Sequence, residues 1–170
     1  MCGIAGFCIS DADYGKIDTA AMVARLAELM EYRGKDATGV LTVNKRGRIE
    51  LRKAKIKATD FIKGRAGIGT AAQVALIHTR ASTQGSPDNP LNNHPIRVGD
   101  VFGIHNGMIH NDDHIYQKHG WDRAGQVDSE AIFAAIHHLP IPGDALGQVD
   151  GSYAIAWVDA AVNPRTLWLA

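Results

Sequence analysis

The first ten residues constrain this chain most, because they place a reactive side chain at the start of a predicted buried strand over residues 2–10. Cys2 directly follows the initiator methionine, and a residue as small as cysteine permits removal of that methionine. Removal would leave a thiol and a free α-amine on one residue, and such an amine has a pKa of about 7.7–8.0. A thiol beside a base is the pair that covalent catalysis requires. The alternative interpretation is that Cys2 is a small apolar residue that opens the strand.

The length and the composition of the chain predict one globular domain. Its 170 residues are 45% hydrophobic and 21% charged, which is enough for one core and is not the composition of a disordered chain. The 18 Lys and Arg residues balance the 18 Asp and Glu residues, so no overall field attracts nucleic acid or a membrane surface. No apolar run reaches about 18 residues and no signal peptide is recognisable, which predicts a soluble, cytoplasmic protein.

The two cysteines are expected to be free thiols. On one extended strand Cys2 and Cys8 would lie roughly 20 Å apart, which is too far for a disulfide. Free thiols are typical of a reducing compartment. Cys8 is predicted to be a core residue.

The apolar periodicity and the turn signals predict an α+β fold. Helices are packed on largely antiparallel sheets in such a fold, and few helices separate the strands here. Strands are expected over residues 2–10, 40–44, 49–53, 74–78, 101–104, 151–159 and 166–169. Helices are expected over residues 18–32, 57–66, 112–120 and 128–138. The chain ends inside its last predicted strand, so either the fold continues elsewhere or the domain is unusually short.

Polar residues of distinct chemical types lie at the ends of these elements. Arg80 offers a planar fork for a carboxylate, and Asp128 offers a carboxylate for an ammonium group. Asn106 and the backbone N–H of Gly107 suit an oxyanion, although Asn-Gly alone more often forms a turn. With Cys2 as nucleophile, the set indicates attack on the side-chain carbonyl of an amino acid. The long polar stretch over residues 81–95 is predicted to be a functional loop.

Seven short motifs occur in order between residue 1 and about residue 159. They are Met1-Cys2-Gly3-Ile4, Tyr32-Arg33-Gly34-x-Asp36-x-x-Gly39, His78-Thr79-Arg80-x-x-Thr83, Asn93-His94-Pro95, His105-Asn106-Gly107-x-Ile109-x-Asn111, Asp128-x-Glu130 and Gly151-Ser152-Tyr153-Ala154. Together they resemble the motifs of class II glutamine amidotransferases, which are N-terminal-nucleophile hydrolases. The resemblance implies one domain over residues 1–170 that forms a four-layer α/β/β/α sandwich. Members of the family normally have further strands after Leu169.

The resemblance also implies a role for each matched residue. Cys2 would attack the γ-carboxamide of L-glutamine, with its own α-amine as base through a water molecule. Asn106 and the N–H of Gly107 would stabilise the tetrahedral oxyanion. Ammonia would leave, and water would resolve the thioester to glutamate.

Three further residues would bind the substrate. Arg80 would hold the α-carboxylate of glutamine, Asp128 would hold its α-ammonium group, and Thr83 would line the pocket. Ala81 and Gln84 stand where the glucosamine-6-phosphate synthase branch typically has an aromatic residue and a histidine. These two departures predict a more open pocket rim and do not favour membership of that branch.

The leading hypothesis is therefore a glutaminase unit that supplies ammonia to a synthase on a separate chain or a C-terminal domain, without cofactor or metal. A second hypothesis is a non-catalytic subunit that senses glutamine or has a structural role. A third is a metal-dependent hydrolase, although the spacing of the candidate ligands matches no compact metal motif. Those ligands are His105, His110, Asp112, Asp113, His114 and His119.

Overall fold

The computed structural model describes residues 1–64, 67–139 and 141–170, and its strands form two four-stranded antiparallel sheets. The first sheet has the strand order β1-β4-β2-β3. Its strands are β1 (Gly3–Cys8), β2 (Ala37–Asn44), β3 (Ile49–Ala54) and β4 (Ala72–Arg80). The second sheet has the order β5-β6-β7-β8. Its strands are β5 (Ile96–Val98), β6 (Val101–Ile109), β7 (Gly151–Asp159) and β8 (Asn163–Leu169).

Helices cover the outer face of each sheet. The side chain of Asp18 caps the first helix by accepting a hydrogen bond from the backbone N–H of Ala21, which is the expected N-terminal signal. The first sheet carries α1 (Thr19–Met30) and α2 (Ala58–Lys63). The second sheet carries α3 (Asp112–His119), α4 (Ser129–His138) and α5 (Pro142–Leu146).

The inner faces of the two sheets pack against each other through apolar side chains. Alternation along the strands produces this face, because every second residue points to the same side of a sheet. The first sheet contributes Leu41, Val43, Val74 and Leu76, and the second contributes Phe102, Ile104, Ala156 and Val158. Two sheets between two helical layers make the predicted four-layer α/β/β/α sandwich, so the fold prediction is confirmed.

Element boundaries differ from the sequence prediction mainly near the polar loops. β2 begins at Ala37, three residues before the predicted strand, and β6 continues to Ile109 through the Asn-Gly pair. Pairing with β4 and with β7 supplies the hydrogen bonds that keep these polar segments extended. The short elements β5 and α5 were not predicted, since neither carries a periodic apolar pattern. The helix expected over 57–66 is α2, and residues 65 and 66 lie outside the described residues.

The prediction that Cys8 is a core residue is wrong. Cys8 is an exposed free cysteine whose thiol donates to the carbonyl oxygen of Arg165. β1 is an outer strand of its sheet, and Gly6 and Cys8 are both exposed on it. An apolar sequence does not reveal which strand will lie at the edge.

Within the described parts of the chain, no helix is long and apolar enough to cross a membrane.

The inter-sheet core is expected to dominate stability. Leu76 is fully buried between the sheets, and Leu29 on α1 is 50% exposed. We expect Leu76→Ala to lower the free energy of unfolding by about 2–5 kcal/mol, because it removes apolar contacts and leaves a cavity. The matched variant Leu29→Ala should change it by less than about 0.5 kcal/mol. Urea denaturation followed by circular dichroism measures both, and equal effects would contradict the described packing.

Candidate active site

The predicted functional residues converge at one end of the two sheets. Cys2 directly precedes β1, and Arg80 is the last residue of β4. β1 and β4 are antiparallel with Gly3 opposite Thr79, so Cys2 lies beside Arg80. Gly107 lies on β6 of the other sheet, at the same end of the structure.

A cavity of about 30 Å³ marks this convergence. It has room for about two water molecules. Its lining includes Cys2, Arg80, Thr83, Gly107 and Asp128. Asn106 precedes Gly107 on β6 and is half-buried, without being part of the cavity wall. The structure therefore brings five of the six predicted site residues around one space and places the sixth beside it.

The Cys2 thiol is held in a neutral state. It donates a hydrogen bond to the carbonyl oxygen of Ala81 over 3.6 Å. Burial raises the pKa of Cys2, the charge of Arg80 opposes that rise, and the carboxylate of Asp128 adds to it. A thiol in this setting needs a base before it can act as a nucleophile.

Arg33 fixes the backbone at the nucleophile. Its Nε donates to the carbonyl oxygen of Cys2 over 2.9 Å. Arg33 belongs to one of the seven motifs, but its sequence context gave it no role. The contact bridges 31 residues along the chain, and such a long-range partner is not visible in sequence spacing.

The backbone at Gly107 requires glycine. Its φ is +153°, and a Cβ atom there would lie 2.0 Å from the carbonyl oxygen of Ser152 on β7. No other residue fits at that distance. The Asn106-Gly107 pair thus lies in a strand and not in a turn, with its backbone at the cavity.

Arg80 is almost fully buried, with 4% of its surface exposed. Its Nη1 donates to Oδ1 of Asn93 over 2.8 Å, and its Nη2 donates to the carbonyl oxygens of Gln84 and Gly85. Burial lowers the pKa of Arg80, and the neighbouring Cys2 and Asp36 oppose that shift. An arginine stays protonated even so, which leaves a buried positive charge at the cavity.

Asp128 supplies the opposite charge. Its Oδ2 accepts from the backbone N–H of Ile109 over 2.9 Å, and its Oδ1 accepts from the N–H of Ser129 over 2.8 Å. These donors orient the carboxylate at the N-terminus of α4, where a negative charge is favourable. Oδ1 also accepts from the hydroxyl of Ser129 over 3.3 Å, so Oδ2 is the oxygen that can accept a further hydrogen bond from a ligand.

Gln84 lines the cavity at its rim. The Oε1 atom of Gln84 accepts from the backbone N–H of Asp128 over 3.1 Å, and its carbonyl oxygen accepts from Arg80. Gln84 therefore links the two charged residues across the mouth of the site. Thr83 and Gln84 are both exposed.

Three buried histidines, of which His94 and His105 line the cavity, form a cluster that the sequence prediction missed. The rings of His78 and His94 stack with their centroids 4.2 Å apart. The Nε2 of His78 donates to the carbonyl oxygen of His105, and the Nδ1 of His105 lies 2.7 Å from Oγ of Ser129. Burial lowers the pKa of His78 to about 3 and lowers that of His94 well below its usual value. Burial also lowers the pKa of His105, although the negative charge of Asp128 opposes this shift. These rings are neutral at pH 7.

The residues of the alternative metal site do not gather in the structure. Arg123 forms ion pairs of 2.7 Å with both Asp112 and Asp113. His119 stacks on Trp121, while His105 lines the cavity. Over residues 1–64, 67–139 and 141–170, no group of three or more His, Cys, Asp and Glu side chains could hold a metal ion.

Curated relatives with similar sequences carry the name glutamine–fructose-6-phosphate aminotransferase (isomerizing). The relative from Pseudomonas putida is 31% identical over 97% of this chain, and the relative from Bacillus spizizenii is 31% identical over all of it. The chain spans only 28% and 29% of the length of these two relatives. No protein-family model matches the chain.

Solved structures show the same fold at low sequence identity. The glutamine phosphoribosylpyrophosphate amidotransferase from B. subtilis, complexed with ADP and GMP, superimposes with a TM-score of 0.71 over 94% of this chain and 35% of its own. A structure described as the allosteric regulatory enzyme of purine biosynthesis gives the same score. Both are 14% identical to this chain, so their likeness is one of fold.

Acidification is expected to destabilise the protein through the buried histidines. Their folded-state pKa values lie below the ordinary value of about 6.5, so the unfolded chain binds more protons below that pH. Stability present at pH 7 is therefore lost as the pH falls from about 6.5 towards the pKa of about 3 of His78. His78 contributes at most about 1.4 kcal/mol per pH unit in this window, and the lowered pKa values of His94 and His105 act in the same direction.

Urea denaturation at pH 7, 6 and 5 measures this loss. His78→Gln keeps a donor for the carbonyl oxygen of His105 but does not titrate, so its stability should fall less steeply. The exposed His114 provides the control variant His114→Gln, which should follow the parent. A His78→Gln variant with the parent's pH dependence would contradict the assignment of the acid destabilisation to His78.

Proposed function

Since the chain belongs to the class II, N-terminal-nucleophile glutamine amidotransferases, we propose that it hydrolyses the side-chain amide of L-glutamine to glutamate and ammonia. The observation that carries the proposal is the set of groups around one cavity. A thiol, a buried guanidinium and an oriented carboxylate meet there, contributed by Cys2, Arg80 and Asp128. The two charges match the α-carboxylate and the α-ammonium group of an amino acid, and the thiol matches its side-chain carbonyl.

The first chemical step depends on removing a proton from Cys2. Because burial raises the pKa of the thiol, the proposed base is the α-amine of Cys2 itself, acting through a water molecule. That amine becomes free when Met1 is removed. The thiolate then attacks the γ-carbonyl carbon, a C–S bond forms, and the carbonyl electrons move to oxygen.

The oxyanion that forms needs hydrogen-bond donors in fixed positions. The proposed donors are the side-chain amide of Asn106 and the backbone N–H of Gly107, which the strained backbone holds at the cavity. Collapse of the intermediate breaks the C–N bond, the α-amine of Cys2 returns the proton to the leaving nitrogen through water, and ammonia is released. Water then hydrolyses the thioester, which restores the thiol and yields glutamate.

Substrate entry requires the rim to move. Glutamine is far larger than a cavity of about 30 Å³. The exposed residues Thr83 and Gln84 lie on the loop between β4 and β5, so their displacement would open the site with little loss of buried surface. Thr83 would then line the pocket around the bound side chain.

The ammonia is proposed to serve a synthase. The curated relatives extend well beyond the region that this chain matches, which is 28% of the length of the Pseudomonas putida relative. The acceptor domain would be on a separate chain or C-terminal to this one. The two free thiols are typical of the cytoplasm, where we propose that the protein works.

A non-catalytic glutamine-sensing or structural subunit is the second candidate. The small cavity favours a structural role, because the site as it stands does not admit glutamine. A sensor would need the same opening of the rim as the enzyme, and it would bind glutamine through Arg80 and Asp128 without need of the thiol.

Replacing the nucleophile separates the two candidates. We expect Cys2→Ala to reduce glutamine hydrolysis by about four orders of magnitude or more, because no other group can form the thioester. The matched variant Cys8→Ala changes the exposed second cysteine and should retain activity within about twofold. Release of glutamate and ammonia measures both. Turnover that survives in Cys2→Ala would exclude the proposed mechanism.

The oxyanion donor gives a second test. Asn106→Ala should lower kcat by about a hundredfold to a thousandfold, as is typical when one such donor is removed. KM for glutamine should change little, since the donor acts mainly in the transition state. Asn163→Ala, at the exposed start of β8, is the control and should behave as the parent. A larger effect on KM than on kcat would count against the assigned role.

A further inference from the structure

Lys53 on β3 is a half-buried lysine whose ammonium group binds only uncharged oxygen atoms among the described residues. Its Nζ donates to the carbonyl oxygen of Asn93 over 2.7 Å and to that of Pro95 over 3.2 Å. Burial lowers the pKa of Lys53 to about 8. Desolvating an ammonium group without a carboxylate partner is unfavourable, so its place here calls for an explanation.

The backbone segment that Lys53 binds, from Asn93 to Pro95, packs directly on the first sheet. Gly39 on β2 lies opposite Lys53 in the pairing of β2 with β3. A Cβ atom at Gly39 would lie 1.8 Å from the carbonyl oxygen of His94. The segment from Asn93 to Pro95 is therefore fixed from two neighbouring strands. Lys53 on β3 donates hydrogen bonds to it, and the backbone of Gly39 on β2 packs closely against it.

The side chain of Asn93 has a fixed orientation in this segment. Asn93 is 3% exposed, and its Nδ2 donates to the carbonyl oxygen of Pro87 over 2.8 Å. Because the amide nitrogen is held by Pro87, the Oδ1 atom of Asn93 points towards Arg80 and accepts from its Nη1 over 2.8 Å. An acceptor held in this way fixes the plane of the guanidinium group.

Arg80 depends on such contacts for its direction. A guanidinium group has five N–H donors, and three hydrogen bonds of Arg80 go to Asn93, Gln84 and Gly85. The partners at Gln84 and Gly85 belong to the rim, which must move for glutamine to enter. Asn93 is buried behind the rim and can remain in place. Asn93 is then the contact that keeps the guanidinium group of Arg80 directed at the cavity while the site is open.

We infer that Asn93 is a positioning residue that aligns Arg80 with the α-carboxylate of the substrate, and that Lys53 holds Asn93 in place. This inference rests on the proposed function and adds to it the residues that determine recognition of the carboxylate. Bidentate recognition of a carboxylate depends on the orientation of the guanidinium plane, so loss of the alignment weakens binding more than chemistry.

The test compares Asn93→Ala with the parent chain, both in a Cys8→Ala background, by measuring KM and kcat for L-glutamine. We expect KM to rise about tenfold to a hundredfold, the range typical of a lost hydrogen bond to a charged group, while kcat stays within about threefold. Iodoacetamide, which has no carboxylate, should alkylate Cys2 at the parent's rate. Asn89→Ala in the same loop removes a capping bond to the N–H of Leu91, does not touch Arg80, and should leave all three values unchanged.

Each outcome bears on a different statement. An unchanged KM in Asn93→Ala would overturn the positioning role alone. A parallel fall in kcat, glutamine affinity and alkylation rate would show a structural role and would also overturn it. A parent chain that neither hydrolyses nor binds glutamine would contradict the proposed function and this inference with it.

Lys53→Met provides a second variant in case Asn93→Ala does not fold. It removes the ammonium group and keeps most of the apolar stem, so Asn93 is retained without its anchor. KM should rise in the same direction with kcat again preserved. A Lys53→Met protein with the parent's KM would remove Lys53 from the proposed arrangement.

Discussion

The antiparallel pairing of β1 with β4 is the constraint on which the rest of the site depends. It brings the first residues of the chain beside a residue 78 positions later, so that Cys2 meets Arg80 at the end of the first sheet. Packing of the second sheet against the first then places the Gly107 segment at the same end. A slip of one residue between β1 and β4 would turn the Cys2 side chain away from the cavity.

The cavity combines charges that recognise a substrate with a thiol that is kept neutral. The Arg80 guanidinium donates to the buried Asn93, and the Asp128 carboxylate accepts from the N–H of Ile109, so both charges stay oriented while the rim moves to admit a zwitterion. Burial keeps Cys2 protonated until a base acts on it. The neutral histidines His78 and His94, of which His94 lines the cavity, add no competing positive charge at pH 7.

Much of this arrangement could be predicted from the sequence, because it depends on local pattern and on residue type. The strands, the Asp18 cap and the choice of Cys2, Arg80, Gly107 and Asp128 follow from periodicity and chemistry. The exposure of Cys8 could not be predicted, since strand order decides it. Contacts such as those from Lys53 to the loop at Asn93 join residues 40 positions apart, and no spacing rule reveals them. The hydrogen bond between Asp128 and Gln84 across the rim could not be predicted either, because it joins residues 44 positions apart.

The most direct test of the account is the intact mass of the protein before and after treatment with 6-diazo-5-oxo-L-norleucine, a glutamine analogue that alkylates N-terminal cysteine nucleophiles. We expect the mass of one methionine to be absent beforehand. One adduct should then form at Cys2, and excess L-glutamine should prevent it. A protein without Met1 that takes no adduct, or takes one at Cys8 that glutamine does not prevent, would contradict the claim that this cavity binds glutamine beside an active nucleophile.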